Sequence, residues 1–199
     1  MWRSFTVALL VVLLTQPIFA KDVQLSVLLS KLEAIRTTEK GGDELYFSVT
    51  EYSTKERPRN YLIPEYPMHW LSANLKDIKN VSLWDKIIKE GEGISVIFSL
   101  IEQESPPWFL DELIGTVKLK IRNEKGALKS EWIIPNQKDT QAVKKHANEF
   151  IFDGYAAQYH LFLKLVEGKP SAAQIKDDKE RRAQQKRDIN GHPNTFPGL

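Results

Sequence analysis

The sequence contains no cysteine, and this absence excludes several classes of protein. Without a thiol, the 199-residue chain cannot form a disulfide scaffold, a thiolate nucleophile, a Cys-ligated zinc site or a lipoprotein anchor on an N-terminal cysteine. The four histidines are scattered and none has a second histidine at metal-ligand spacing; they are His69, His146, His160 and His192. The folded domain is therefore expected to depend on its apolar core.

The sequence also lacks the common catalytic motifs. It has no glycine-rich phosphate loop, no G-x-S-x-G nucleophile turn and no H-E-x-x-H helix. We therefore expect a non-enzymatic protein. A hydrolase with an unrecognised acidic site is the alternative.

Neither sign of charge is in large excess. The chain has 28 lysines and arginines against 26 aspartates and glutamates, a net charge of +2 that is too small to indicate a nucleic-acid partner. The positive excess lies in residues 168–199, which carry seven basic and four acidic side chains. Because this segment has few large apolar residues, we predict a flexible basic tail in which residues 172–188 permit a marginal helix. A docking segment for a partner or for an anionic surface is the alternative.

One continuous apolar run stands near the N-terminus. Arg3 precedes the run, which spans residues 7–14, and Pro17 and Ala20 follow it. This pattern predicts a cleavable signal peptide over residues 1–20, cut after Ala20, with an uncleaved signal anchor as the alternative. The run is shorter than the roughly 20 residues needed to span a bilayer. Export without cysteine favours a bacterial protein, secreted or periplasmic.

Apolar and polar residues alternate through most of residues 21–167, which is the period of a β-strand. Strands are expected over residues 23–29, 45–49, 94–101, 116–122, 131–134, 150–152 and 157–165. Seven or eight short strands predict an all-β protein, a single antiparallel β-sandwich with a flexible C-terminal tail. Residues 71–90 permit a short helical insertion at one end of the sandwich. Residues 23–35 also fit an amphipathic helix, although a strand is favoured.

Two acidic loops, residues 37–44 and 102–112, are the most informative segments. In strand geometry Glu102 and Glu104 point to the same side, and a returning loop can bring Asp111 close to them. Such carboxylates suit calcium, which takes six to eight oxygen ligands. The second loop also carries Trp108 and Phe109, an aromatic pair that is costly to expose unless it packs or binds a partner.

The stretch ISVIFSLIEQESPPWFLDELIGTVKLKI, residues 94–121, resembles the C-two domain family, the calcium- and phospholipid-binding β-sandwiches. GGDELYFSV, residues 41–49, is similar to an earlier step into a strand in that family. The resemblance implies calcium-ligand positions at Asp43, Glu102, Glu104 and Asp111. It also implies calcium-assisted binding of anionic phospholipid, with Trp108 and Phe109 inserting into the membrane. The alternative is that Asp43, Glu44 and Asp111 are turn and surface residues.

A basic stripe follows the second acidic loop. Lys118, Lys120 and Arg122 share one face of a predicted strand, and Lys125 and Lys129 are close in sequence. Near an anionic leaflet each basic group contributes about 1 kcal/mol, so the stripe predicts reversible membrane contact. A solvated face of an antiparallel strand is the alternative.

An aromatic segment, residues 61–70, carries Tyr61, Tyr66 and Trp70 beside two prolines. Tyrosine and tryptophan are enriched at binding hot spots, so this segment is a candidate partner surface; a loop packed over the end of the sandwich is the alternative. We expect an exported, non-enzymatic binding protein, such as a bacterial secreted effector, that recognises a host or envelope component through this segment and the 102–112 loop. Calcium-assisted phospholipid binding is the alternative function.

Overall fold

The computed structural model describes residues 22–104, 110–125, 127–135 and 140–191. Within these ranges the chain is mostly β-strand, and its strands form two antiparallel sheets. The prediction of an all-β antiparallel sandwich is confirmed. The predicted signal peptide, residues 1–20, lies outside the described ranges and stays a prediction.

The first sheet has five strands in the order β5-β1-β11-β10-β9. These strands are β1 (Val23–Arg36), β5 (Val81–Ile88), β9 (Thr140–His146), β10 (Glu149–Gly154) and β11 (Ala157–Gly168). The second sheet has the order β3-β2-β6-β7-β8, and β4 pairs with β2 beside this path. Its strands are β2 (Glu44–Ser53), β3 (Arg59–Ile63), β4 (Trp70–Leu71), β6 (Gly93–Glu102), β7 (Glu112–Glu124) and β8 (Ala127–Ile133).

The inner faces of the two sheets form one apolar core because strand alternation sends every second side chain inward. In β6 the buried residues are Ile94, Val96, Phe98 and Leu100. Leu25 and Val27 of β1 are buried in the same way, and the prediction of a strand rather than a helix over residues 23–35 is confirmed.

Gly115 lets the sheets approach closely where β7 faces β10. A Cβ atom at this position would lie 2.4 Å from the ring of Phe152, which is itself fully buried. No side chain larger than hydrogen fits this position without displacing that ring. The glycine therefore helps to set the distance between the sheets at this point.

Residues 71–90 begin with a short 3-10 helix, Ser72–Asp77, so the predicted helical insertion is confirmed there. The further helix that the sequence permitted over residues 84–88 is wrong, because these residues lie in β5. Trp84 and Lys86 both point into the sandwich at period two, and β5 pairs with β1 along its length. Ile87 is buried as well, which hides the alternation in the sequence.

A cluster of buried charges occupies one end of the sandwich. Glu51 lies one alternation beyond Val49 on β2, so its carboxylate points inward and is fully buried. It accepts hydrogen bonds from Trp84 Nε1 at 2.7 Å and from Lys86 Nζ at 2.5 Å. Arg59 forms a third contact with it at 2.6 Å. The cost of burying this carboxylate is thus offset by three donors.

Helix α1, Ala172–Gly191, completes the charge cluster. Arg182 lies 2.5 Å from Glu56 and 3.1 Å from Glu92, and Arg181 also pairs with Glu56. Without the helix, the buried set carries three acids and two bases, a net charge of −1; these are Glu51, Glu56, Glu92, Lys86 and Arg59. The helix adds Arg181, Arg182 and Asp178, a net charge of +1 that offsets the buried set, and half-exposed Lys89 pairs with Asp178 at 3.4 Å.

The predicted helix over residues 172–188 is therefore present, but its first half is not a free tail. The ion pairs of Arg181 and Arg182 hold it against the sandwich. The amino-acid composition of the segment does not reveal these ion pairs. Among the described residues, no helix is long and apolar enough to cross a membrane.

Candidate functional site

Three connections meet at the end of the sandwich that lies opposite to the buried charge cluster. They are the β1–β2 connection, the β6–β7 connection and the segment of residues 61–70. Gln103 N donates to the Glu44 carbonyl oxygen at 2.7 Å and joins the β6–β7 connection to β2. Residues 37–46, 61–70, 102–104 and 110–112 together contain eight aspartates and glutamates and one lysine, Lys40. We call this region the acidic end.

Glu102 is the buried centre of the acidic end. It is the last residue of β6 and only 1% exposed. Its Oε1 accepts a hydrogen bond from Thr38 Oγ1 at 2.5 Å, whereas its buried Oε2 has no hydrogen-bond partner in the part of the chain that the structure describes. Burial raises the pKa of Glu102 from 4.5 to about 7; the Thr38 hydrogen bond opposes this rise, and Asp43, Glu104 and Glu112 add to it.

Glu104 and Glu112 complete a carboxylate group with Glu102. Glu112 begins β7 and pairs directly with Glu102 across the two strands. One carboxylate oxygen from each of the three glutamates lies within 4.8 Å of the other two. Burial and the charge of Glu104 also raise the pKa of Glu112. Oxygens at this separation can contact one calcium ion, whose oxygen ligands lie at about 2.3–2.6 Å.

Asp43 has a different role from the one that the resemblance implies. Its Oδ1 accepts hydrogen bonds from Thr38 N at 3.0 Å, Thr38 Oγ1 at 3.1 Å and Glu39 N at 3.1 Å. Its Oδ2 accepts the hydroxyl of Tyr159, and the side chain is fully buried. Asp43 therefore closes the β1–β2 connection, and the group of three glutamates does not include it.

Asp111 also bonds to protein partners. Its Oδ2 accepts the Tyr46 hydroxyl at 2.7 Å, and its Oδ1 accepts Glu104 N at 3.1 Å. Burial, followed by the hydrogen bond to Asp111, raises the pKa of Tyr46 above its ordinary range. Asp111 thus fixes the path of the β6–β7 connection and stands outside the group of three glutamates.

The segment of residues 61–70 divides into a packed part and an exposed part. Tyr61 donates its hydroxyl to the Leu83 carbonyl at 3.0 Å, and Trp70 packs edge-on against Phe47 with ring centroids 6.2 Å apart. Tyr66, by contrast, is 68% exposed. Of the three aromatic residues predicted here as partner contacts, the structure exposes Tyr66 and half-buries the other two.

A small pocket joins the exposed part to the acidic connection. Its volume is about 110 Å³, and it is lined from one side by Leu62, Pro64, Tyr66 and Met68 and from the other by Tyr46, Gln103, Glu104 and Asp111. Met68 is 63% exposed. The structure therefore brings together the two segments that the sequence named as a recognition surface. Trp108 and Phe109 lie outside the described residues.

The basic stripe lies away from the acidic end and is interrupted by acids. Lys120 is eight residues along β7 from Glu112, which is roughly 25 Å at the usual rise of a strand. Glu124 lies 3.5 Å from Arg122 and 2.5 Å from Lys129. Lys120 pairs across the sheet with Glu131, and Lys118 with Ile133. The predicted membrane contact of Lys118, Lys120 and Arg122 stays a prediction.

Sequence reasoning missed Glu112 and Met68. Glu112 could have been found by counting the β6–β7 register outward from the paired apolar residues, which sets Glu102 against Glu112. Met68 stands between Pro67 and His69 in a segment without alternation, so no periodic signal marks it as exposed.

Comparison with known proteins does not assign the chain. No family model matches it, and no curated protein matches it.

Proposed function

We propose that this chain is an exported, non-enzymatic binding protein whose acidic end recognises a protein component of a host or of the cell envelope. The observation that carries the proposal is the pocket shared by the 61–70 segment and the β6–β7 connection. Tyr66 and Met68 offer large apolar surfaces, and Glu104 and Asp111 stand beside them. The fitting partner segment carries an apolar side chain next to a lysine or arginine.

Charge complementarity supports this partner chemistry. The acidic end carries a large excess of negative charge, which favours association with a basic segment and makes the association rate depend on salt. Exposed tyrosine and methionine beside a small pocket supply the apolar contact. The expected interaction is therefore weakened both by added salt and by loss of the two side chains.

A photo-crosslinking experiment tests the proposal. The photoreactive residue p-benzoylphenylalanine replaces Tyr66 in one variant and Tyr52 in a control. Tyr52 is also exposed, but it lies at the end of β2 that is far from the acidic end. The Tyr66 variant is expected to crosslink a protein that the Tyr52 variant does not. With that protein purified, Tyr66→Ser/Met68→Ser should raise the dissociation constant at least tenfold. Equal crosslinking from both positions, or unchanged affinity, contradicts the proposal.

Calcium-assisted binding of anionic phospholipid is the second candidate function. The specific observation in its favour is the buried Oε2 of Glu102, which has no hydrogen-bond partner in the described part of the chain and belongs to the group of three glutamates. The proposed ligands are Glu102, Glu104 and Glu112, because Asp43 and Asp111 accept hydrogen bonds elsewhere. A bound cation would supply the missing partner and offset the repulsion among the carboxylates.

Thermal melts in 1 mM calcium and in chelator test the cation site. A ligand that binds the native state alone raises the melting temperature of the wild type, and Glu112→Gln is expected to abolish this rise. Glu131→Gln is the matched control, since Glu131 is an exposed acid on β8. Flotation with phosphatidylserine vesicles, with and without calcium, then tests membrane binding, with Trp108→Ala as the variant. Identical melts refute the cation site; calcium-independent flotation refutes the membrane step.

A further inference from the structure

The second half of β1 has an open edge. β1 pairs with β11 from Gln24 to Arg36, but it pairs with β5 only from Val23 to Leu29. From residue 30 to residue 36, the side of β1 that faces away from β11 therefore has no strand partner among the described strands. Seven residues span about 23 Å, which is enough for a strand of the usual five or six residues.

A groove runs beside this open edge. It has a volume of about 580 Å³ and lies between residues 30–34 of β1 and residues 72–80, which include the 3-10 helix. Leu32, Leu75 and Ile78 line it and belong to the apolar core. Native sheets usually cover an edge with a loop or helix in direct contact. Here the covering segment contacts β1, but a groove remains between them.

The groove is positively charged. Lys31, Lys76, Lys79 and Glu33 line it, which gives a net charge of +2. Lys31 pairs with Glu33 at 2.6 Å. Lys76 and Lys79 are exposed, and neither has an ion pair with any residue that the structure describes. Two cationic side chains on the rim are thus available to a ligand.

We propose that the open edge of β1, over residues 30–36, binds an extended acidic segment of a partner protein as an additional strand. Backbone N–H and C=O groups of the edge pair with the segment, which is the mode by which peptides extend an exposed sheet edge. Alternate side chains of the segment enter the groove, and acidic side chains reach Lys76 and Lys79. This surface adjoins the acidic end, since Ser72 of the groove bonds to Asp43, but it selects the opposite charge.

The test uses a heptapeptide that alternates glutamate and valine, with a lysine–valine heptapeptide as the charge control. In ¹⁵N-labelled protein, the glutamate peptide is expected to shift the amide signals of residues 30–36 and 72–80. Lys76→Glu/Lys79→Glu should raise its dissociation constant at least tenfold, whereas Lys120→Glu/Lys129→Glu on the other sheet should not. All four lysines are exposed.

Backbone methylation gives the most specific readout. Because alternate N–H groups of a strand point to opposite sides, N-methylation of one alternate set in the peptide should abolish binding and methylation of the other set should not. Equal binding of the two methylated peptides, tighter binding of the lysine peptide, or shifts confined to other residues overturns the proposal. Concentration-dependent dimerisation that protects residues 30–36 from hydrogen exchange also overturns it, since a second copy would then occupy the edge.

Discussion

Replacing Glu102 by glutamine tests whether burial of this carboxylate, together with repulsion from its acidic neighbours, opposes folding. The substitution keeps the size of the side chain and removes its charge from beside Glu104 and Glu112. Burial raises the pKa of Glu102 from 4.5 to about 7 in the folded state. The folded protein therefore holds this proton more tightly than the unfolded chain does, and ionisation of Glu102 opposes folding.

The magnitude follows from the pKa difference. A shift of one pKa unit corresponds to about 1.4 kcal/mol, so the rise for Glu102 amounts to about 3 kcal/mol. The stabilisation from the bound proton is fully present below pH 4.5 and is lost as the pH rises to about 7. The unfolding free energy of Glu102→Gln relative to the wild type should therefore increase by about 3 kcal/mol as the pH rises from 4.5 to 7. Above pH 7 this difference should stay constant.

Urea unfolding of both proteins between pH 4 and pH 8.5 measures this difference. The comparison is needed because Glu51 and Glu56 have lowered pKa values and lose their contribution to stability as the pH falls, which masks the effect in the wild type alone. A difference that stays flat, or that decreases as the pH rises, would refute the reasoning. Calcium should stabilise the wild type at pH 8 and leave the glutamine variant unchanged.

Three further predictions concern the framework. Arg182→Ala should lower the unfolding free energy by about 3 kcal/mol, because buried Glu56 and Glu92 lose a partner, whereas Lys176→Ala on the exposed side of α1 should not; urea unfolding checks both. Gly115→Ala should cost about 1–3 kcal/mol through its clash in the core, seen as a lower melting temperature. Asp43→Ala should expose residues 37–43 to faster hydrogen exchange, since it removes their hydrogen-bond acceptor.

The alternating segments could be predicted because period two is a local property. Val96, Phe98 and Leu100 alternate with smaller or more polar residues, and the strand that they predict is present. The strand over residues 81–88 could not be read in this way, because Ile87 and Lys86 are both buried and the pattern is lost. Lys86 can be buried because Glu51, from a strand of the other sheet, and Glu56 pair with its charge.

Only the part of the candidate site that is local in sequence could be predicted. Glu102 and Glu104 lie on one short stretch of chain, so their proximity is visible in the sequence. Glu112 joins them through the register of β6 and β7. Asp43 lies near Glu102, with which it shares the Thr38 hydroxyl, but its oxygens already accept hydrogen bonds from Thr38 and Tyr159. Residue types that suit a metal do not reveal which of them already have partners.

By itself, the sequence determined the fold class, the apolar faces of the longest strands and the absence of thiol chemistry, because each depends on residue type and local period. The tertiary structure decided which charges are buried and which edges are open. The basic tail segment begins a helix whose Arg181 and Arg182 neutralise carboxylates that lie more than 80 residues earlier in the chain. Such pairing depends on positions in space, and no local pattern records it.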